Sequence, residues 1–370
     1  MKYNAALLNT DEHILMNGDI PVLLFNLEEL YIKVLNNSYL PYELKDYITD
    51  TNYSDIKKAM AHIETVKDYF SSRALNLSRE NAKVILNVTA LPQSLKTKER
   101  LKITFACKGL TMGDNFWIKS KGDDTVRFAD VNLRKTPLSE ASYEIAILGK
   151  HISATAEELR PDLSTHGMFP KYWHRENGEV YMWKTDKMTG NINTKAELQT
   201  SELLQTAGVK AVPYKSVYKD GILFAVSKCI ATDEHALVSA LSIRDWCIHT
   251  GKDFEEYIHT NWRTDFANMC MVDYIFANTD RHIDNWGFLV ENSTNQIKEF
   301  APLYDHNQSL VADEIGTDIN ELIYEPTGLT FSETVQKYAK YVTVQFCGIE
   351  LPHKARIRAE LVLSLKGNRN

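Results

Sequence analysis

Between Asn278 and Asp305 the chain carries an acid, an amide and a second acid at intervals that suit one reaction. Asn278-Thr279-Asp280-Arg281-His282-Ile283-Asp284-Asn285 holds Asp280 and Asn285 in the spacing D-x-x-x-x-N. About twenty residues on, past an apolar run, Pro302-Leu303-Tyr304-Asp305 adds a further carboxylate. Phosphoryl transfer from ATP asks for such a set. One carboxylate orients the attacking hydroxyl and accepts its proton, while an Asn oxygen and another carboxylate hold Mg²⁺. Magnesium is hard and prefers oxygen, so Asn and Asp suit it where Cys or His would not. The pattern points to an ATP-dependent phosphotransfer site.

Asn, Thr, Asp and His also gather in turns, because their side chains bond nearby backbone, so Asn278–Asp280 could simply cap a helix. The flanks favour chemistry. Phe266–Phe276 reads as a buried helix, and Trp286–Val290 and Ile297–Phe300 read as short strands around a polar loop. Helix, polar loop, hairpin and acid follow in the order of a kinase C-lobe.

The elements that must complete such a site lie upstream. Tyr181-Met182-Trp183-Lys184 ends a strand-like run with a lysine able to reach ATP phosphates, although a solvated strand end is the commoner fate of Lys. The next helix is expected to start at Thr194, where Thr194-Lys195-Ala196-Glu197 fits a capping box. Glu197 could cap that helix or pair with Lys184, and Glu202 is a rival for the pairing. Before Lys184, Ser164–Lys171 contains Gly167 alone, so neither G-x-G-x-x-G nor a P-loop is present. A short turn there with free N–H groups could still cover phosphates, and a plain loop between strands explains it equally well. Ile222–Val226 is expected to lead into an interlobe hinge, with Ser227-Lys228-Cys229 near adenine.

From about Leu163 onward the chain resembles the HipA-like bacterial serine/threonine kinases, including the shorter CtkA-like branch. The resemblance rests on Asp280…Asn285, on Pro302–Leu310, on Lys184, on Glu197 followed by Leu203-Leu204-Gln205-Thr206-Ala207-Gly208, and on Ser164–Lys171. It implies Asp280 as catalytic base, Asn285 and Asp305 as Mg²⁺ ligands, and Lys184 as the phosphate-contacting lysine. It also implies Gly167 and Met168 in the phosphate loop, with Ser164 or Thr165 as a site of inhibitory autophosphorylation. A protein substrate and a cognate antitoxin or regulator are implied in the same way. The Asp280-Arg281-His282…Asn285 string is shared with phosphoinositide 3-kinase-like enzymes, whereas Pro-Leu-Tyr-Asp is the HipA-like form. Residues up to about 155 do not obviously match the small N-terminal domain of the founding toxin.

Composition narrows the field further. The 370 residues are 44% hydrophobic, enough for a sizeable core and two or three domain-sized units. A formal net charge of −7 argues against a broad nucleic-acid surface and is mildly unfavourable for anionic lipids. The five cysteines form no C-x-x-C pair, and Cys229, Cys247, Cys270 and Cys347 stand in apolar surroundings, so reduced core residues are expected. No run is apolar enough to span a bilayer and Met1–His13 lacks a signal-peptide core, so a cytoplasmic protein is expected.

The expected architecture is α+β: a bilobal protein-kinase-like fold preceded by an α/β N-terminal domain. Residues 1–155 are assigned to that domain, 156–230 to a strand-rich N-lobe and 231–370 to a helical C-lobe. Within the first unit, Tyr3–Leu8 and His13–Met16 are expected as a hairpin with Asn17-Gly18 as turn chemistry. Helices are expected from Asn26, over Ser54–Phe70, and from Ser78 to Val88, with a strand at Leu101–Phe105. Asp114–Lys119 is expected to seat one unit on the other. His151–Glu158 and Pro161 read as a linker, Asp233–Trp246 as helical, and Ser332 and Leu365-Lys366-Gly367 as late helix signals. Three functions fit: a serine/threonine protein kinase, a lipid or small-molecule kinase, or a pseudokinase whose first 155 residues hold a partner.

Overall fold

The structure, a computed structural model, describes residues 12–367. Its first sheet is antiparallel in the order β3-β2-β1-β4, from β1 (His13–Asn17), β2 (Ile20–Asn26), β3 (Tyr31–Val34) and β4 (Phe116–Ser120). Asn17-Gly18 does make a turn, but it joins β1 to β2; the expected partner Tyr3–Leu8 lies outside the described residues. No helix starts at Asn26. Its Oδ1 accepts from the N–H groups of Glu28 and Glu29, both at 3.0 Å, and turns the chain into β3. An Asn that can cap a helix can equally close a turn, and the β2–β3 ladder decides between them.

Helix α1 (Ile56–Ser72) is capped by Asp55, whose carboxylate accepts from Lys58 N–H at 3.1 Å. Helix α2 (Ala82–Val88) begins later than Ser78, after Asn81 at φ +62. Leu101–Phe105 is helical, inside α3 (Thr97–Ala106). Five alternating residues fit either period, and packing along α1 buries Leu101, Ile103 and Thr104 together. A short α4 (Phe128–Val131), a π-helical turn (Tyr143–Ile147) and α5 (Arg160–Leu163) follow. Pro161 opens α5 and is buried with Asp162 and Leu163.

The second sheet, order β5-β6-β8-β7, is antiparallel throughout: β5 (Lys171–Glu176), β6 (Glu179–Lys184), β7 (Tyr214–Lys219) and β8 (Ile222–Lys228). Helix α6 (Ile192–Thr206) packs on β7 and β8. It starts before Thr194, and the expected capping box does not form. The Asp186 carboxylate accepts instead from the N–H of Asn193 at 2.8 Å, the N–H of Thr194 at 3.1 Å and the Thr194 hydroxyl. That arrangement leaves Glu197 free for another partner.

Beyond the sheet, Asp233–Trp246 is only partly helical, because His235–Ser239 forms β9 ahead of α7 (Ala240–His249). Helices α8 (Phe254–Asn261) and α9 (Arg263–Ile275) lead to β10 (Gly287–Glu291) and β11 (Gln296–Phe300), which extend β9 into a three-stranded sheet. A Cβ on Gly287 would lie 2.1 Å from Val238 O, so only glycine lets β9 approach there. The chain closes with α10 (Val311–Glu314), the β12–β13 pair (Ile323–Tyr324, Leu329–Thr330), α11 (Phe331–Tyr338) and α12 (His353–Gly367). Thr330, not Ser332, caps α11, in a capping box with Glu333. Cys247 and Cys270 are buried as expected, whereas Cys347 is exposed.

The architecture is therefore α+β, a strand-rich lobe and a helical lobe preceded by a mixed N-terminal unit. Their cores are not separate. One cluster joins Leu75, Ile85, Leu86 and Ile147 to Tyr172, Trp183 and Phe224. Another sets Trp117 of β4 against Val180 and Cys229. On the helical side, Tyr39 and Tyr42 hydroxyls donate to Ser293 O and Asn295 O, and Ser242 Oγ donates to Glu43.

Candidate active site

Lys184 ends β6, opposite Lys171 of β5 and Ala225 of β8. Its side chain is 14% exposed, not a solvated strand end. Nζ donates to Asp305 Oδ1 at 2.8 Å and lies 3.2 and 3.3 Å from the two oxygens of Glu197. Burial works against the ammonium, yet Asp305 and Glu197 outweigh it and hold the lysine well above its ordinary pKa. Burial, eased by Lys184, leaves Glu197 raised; Lys184 and Lys171 overcome burial at Asp305 and lower it. Glu202 is exposed, so Glu197 is the partner. Tyr214 of β7 hydrogen-bonds Glu197, and its ring lies 5.5 Å from Lys184 Nζ.

The segment with Asp280 and Asn285 hangs from α9. Asp273, fully buried on that helix, accepts from Arg281 through both carboxylate oxygens, from Tyr324 Oη at 2.6 Å and from Asn278 Nδ2 at 2.9 Å. Arg281 then reaches across. Its Nη1 donates to Asn285 O at 2.6 Å and to Tyr304 O at 2.5 Å, tying the loop to the strand of backbone that carries Asp305. Asp305 itself has φ +61, an uncommon conformation for which Asp is better suited than most residues. Asn285 Nδ2 donates to Asp280 O at 3.1 Å, which leaves Oδ1 as its open ligand atom. Asp280 is exposed, and desolvation with Asp305 nearby raises its pKa somewhat.

The third wall is the 162–171 loop. Gly167 sits at φ +94, and a Cβ there would meet Lys171 Nζ at 2.2 Å, so the glycine makes room for that ammonium beneath the loop. Burial and the neighbouring Lys184 push Lys171 down to about 7. Gly167 and Met168 are exposed; Ser164 and Thr165 are buried, their hydroxyls donating to backbone carbonyls of α5, Thr165 to Pro161 O at 2.5 Å. Ser227 is buried at the end of β8. Cys229 turns its thiol toward Met112 O of the N-terminal unit at 3.7 Å, and burial raises that thiol to about 11.

The structure thus brings Lys184, Glu197 and Asp305 into direct contact and links Asn285 to Tyr304 through Arg281. Three contributors escaped the sequence reading. Tyr214 sits in a short strand with nothing to mark it. Asp273 is hidden inside an apolar helix, where a buried acid is itself the signal. Lys171 ended the phosphate-loop match without a role of its own. Among the described residues no three His, Cys, Asp or Glu are clustered to hold a metal alone. The Asn285 amide oxygen and the Asp305 carboxylate are hard donors, and magnesium needs few protein ligands when phosphates supply the rest.

The model of the phosphatidylinositol 3- and 4-kinase family matches residues 182–323. No curated protein sequence matches the chain. A solved chain of the Shewanella oneidensis MR-1 toxin–antitoxin complex of HipA, HipB and operator DNA is similar at TM-score 0.53 and 13% identity, covering 97% of this chain and 92% of its own. The Helicobacter pylori proinflammatory kinase CtkA is similar at TM-score 0.37 and 15% identity, over 55% of this chain and 88% of its own. Among the described residues no helix is long and apolar enough to cross a membrane. The chain has the bilobal kinase fold of the HipA-like kinases.

Proposed function

We propose that the protein is an ATP- and Mg²⁺-dependent serine/threonine protein kinase of the HipA-like type. The observation that carries this reading is Lys184 held between Glu197 and Asp305, beside a loop that presents Asp280 and Asn285. Asn285 and Asp305 would hold the magnesium, whose charge offsets that of the phosphates. Lys184 contacts the phosphates while Glu197 and Tyr214 keep it in place. Lys171 and the N–H groups around Gly167 face the outer phosphates, and backbone near Ser227 and Cys229 meets the adenine. The substrate hydroxyl oxygen bonds to the γ-phosphorus as the bond to the β-phosphate oxygen breaks, and the hydroxyl proton passes to Asp280.

Autophosphorylation at Ser164 or Thr165 belongs to the same proposal. Both hydroxyls face inward in this conformation, so modification requires the loop to swing out first. A phosphate of about −1.5 to −2 charge could not return beside bound ATP, and the loop would stay open. HipA was solved with HipB, and an antitoxin-like partner in the cytoplasm is part of this reading.

Incubation with γ-labelled ATP, Mg²⁺ and lysate tests it. Label on protein that vanishes with Asp280→Asn supports a protein kinase. Label in the lipid extract supports the second reading, a lipid kinase, which the phosphatidylinositol kinase match favours. No transfer to either supports a pseudokinase and overturns both.

A further inference from the structure

The segment joining α1 to α2 lies along the phosphate loop. Leu75 N–H donates to Leu163 O at 2.7 Å, and Glu80 N–H donates to Met168 O at 2.8 Å. Between these contacts the Arg79 side chain enters the protein with no exposed surface. Its Nη1 donates to Asp162 O at 3.1 Å and to Thr165 O at 3.5 Å. Its Nη2 donates to Asp162 Oδ1 at 3.3 Å and to the Lys171 carbonyl. Asp162 is fixed in turn by Ser142 Oγ, which donates to Oδ2 at 2.6 Å. One guanidinium therefore grips both ends of the loop. A planar fork of donors can span those acceptors and a lysine ammonium cannot.

Packing alone does not account for this residue. Arg79 Nε is buried with no hydrogen-bond partner, and a buried charge with a single carboxylate partner is a poor source of stability compared with an apolar side chain. What the arginine fixes is the part of the loop that faces the cleft. Its hold on the Lys171 carbonyl anchors the residue whose ammonium lies under Gly167, within electrostatic reach of Lys184 and Asp305. Its hold on Asp162 and Thr165 fixes the other end, and the exposed stretch His166–Met168 lies between those bonds, with Met168 O held by Glu80 N–H.

We infer that Arg79 is a positioning residue for the phosphate loop, so that the N-terminal unit completes the nucleotide site of the kinase lobes. The inference rests on the nucleotide-site reading given above. Arg79 touches no substrate; it acts through Thr165 and Lys171, which set the loop N–H groups and the Lys171 ammonium against the phosphates. Its effect therefore falls on the phosphate end of a nucleotide and spares the adenine end. The same grip keeps Ser164 and Thr165 turned inward.

The full-length chain carrying Arg79→Lys tests this through two measurements. Hydrogen exchange of peptides covering 163–171, without nucleotide, is expected to speed up relative to the wild type. ATP affinity is expected to fall roughly tenfold or more, the loss of a charge-assisted contact, while adenosine affinity stays within about twofold. Unchanged loop exchange, or parallel weakening of ATP and adenosine, overturns the inference. A wild type that binds neither ATP nor adenosine overturns the nucleotide-site reading instead, and the exchange comparison still decides whether Arg79 holds the loop. Should Arg79→Lys fail to fold, Asp162→Asn keeps the size and the carbonyl but removes the charge partner. The same pattern at smaller amplitude supports the inference there, and parallel weakening overturns it.

Discussion

At Asp280 the carboxylate is exposed, whereas Asp305 is bound to Lys184 in the interior of the site, so the two acids should fail differently. If Asp280 is the base proposed above, Asp280→Asn is expected to cut turnover by roughly 10²–10⁴-fold with ATP affinity nearly unchanged, since a general base acts on the hydroxyl. Asp305→Asn is expected to weaken Mg²⁺–ATP binding as well, because it removes the charge proposed to hold the metal. Binding and single-turnover measurements on both variants check this; wild-type transfer by Asp280→Asn removes the base assignment. Lys171 gives a pH signature. Burial and Lys184 set its folded value near 7, below the ordinary lysine value, so it is mostly neutral at pH 8. Phosphates of the proposed nucleotide would restore its charge, so binding should take up more proton at pH 8 than at pH 6. Calorimetry in buffers of different ionisation enthalpy reads this directly. Proton uptake that persists in Lys171→Met assigns the effect elsewhere.

At the scale of elements, what could be read from the sequence was chemistry carried by consecutive residues. The D-x-x-x-x-N loop, the flanking buried helix and the β10–β11 hairpin follow from local pattern, and the structure has each of these elements. Reading failed where a short pattern served two structures. Leu101–Phe105 alternates over too few residues to exclude a helix, and Asn26 closes a turn with the same oxygen that caps helices. Glu197 sat at a capping-box position, yet Asp186 from outside the helix took the cap. No local pattern could disclose that exchange. Asp273 is the clearest case of an element acting at a distance, since it holds Arg281 and through it both Asn285 and Tyr304. Asp273→Ala leaves Arg281 buried without its partner and is expected to cost about 3–5 kcal/mol. Arg281→Met in the same background removes the stranded charge and should recover much of the stability without recovering transfer. Denaturant titration and an activity assay on the single and double variants separate the two effects; full activity in the double variant excludes a positioning role for the pair.

Across the whole molecule the N-terminal unit touches both lobes through different chemistry. Toward the strand-rich lobe it shares apolar core, with Leu75, Ile85 and Leu86 against Tyr172, Trp183 and Phe224. Toward the helical lobe, among the described residues, Tyr42 alone of this unit joins the buried apolar cluster, and several of the polar contacts meet at one turn. Asn295, at φ +53 and 4% exposed, donates to Ser38 O and Leu40 O at 2.9 Å each, while its own carbonyl accepts from Tyr42. Near that turn Tyr47 stacks on His249 at 4.0 Å, and Trp246 donates to Asp46 at 3.1 Å. A shared apolar core cannot be divided without exposing it, whereas polar contacts can be given back to water. Residues 156–370 expressed alone should therefore expose the Tyr172, Trp183 and Phe224 face and associate through it, as large contiguous apolar patches do. Loss of Asn295 alone should be milder: Asn295→Ala, at a buried and positive-φ position, is expected to cost about 1–3 kcal/mol while leaving the chain monomeric. Size-exclusion chromatography and thermal unfolding of both proteins beside the full chain decide it. A monomeric, cooperatively unfolding 156–370 fragment would show that the kinase lobes close their own core and that the first unit is an appendage.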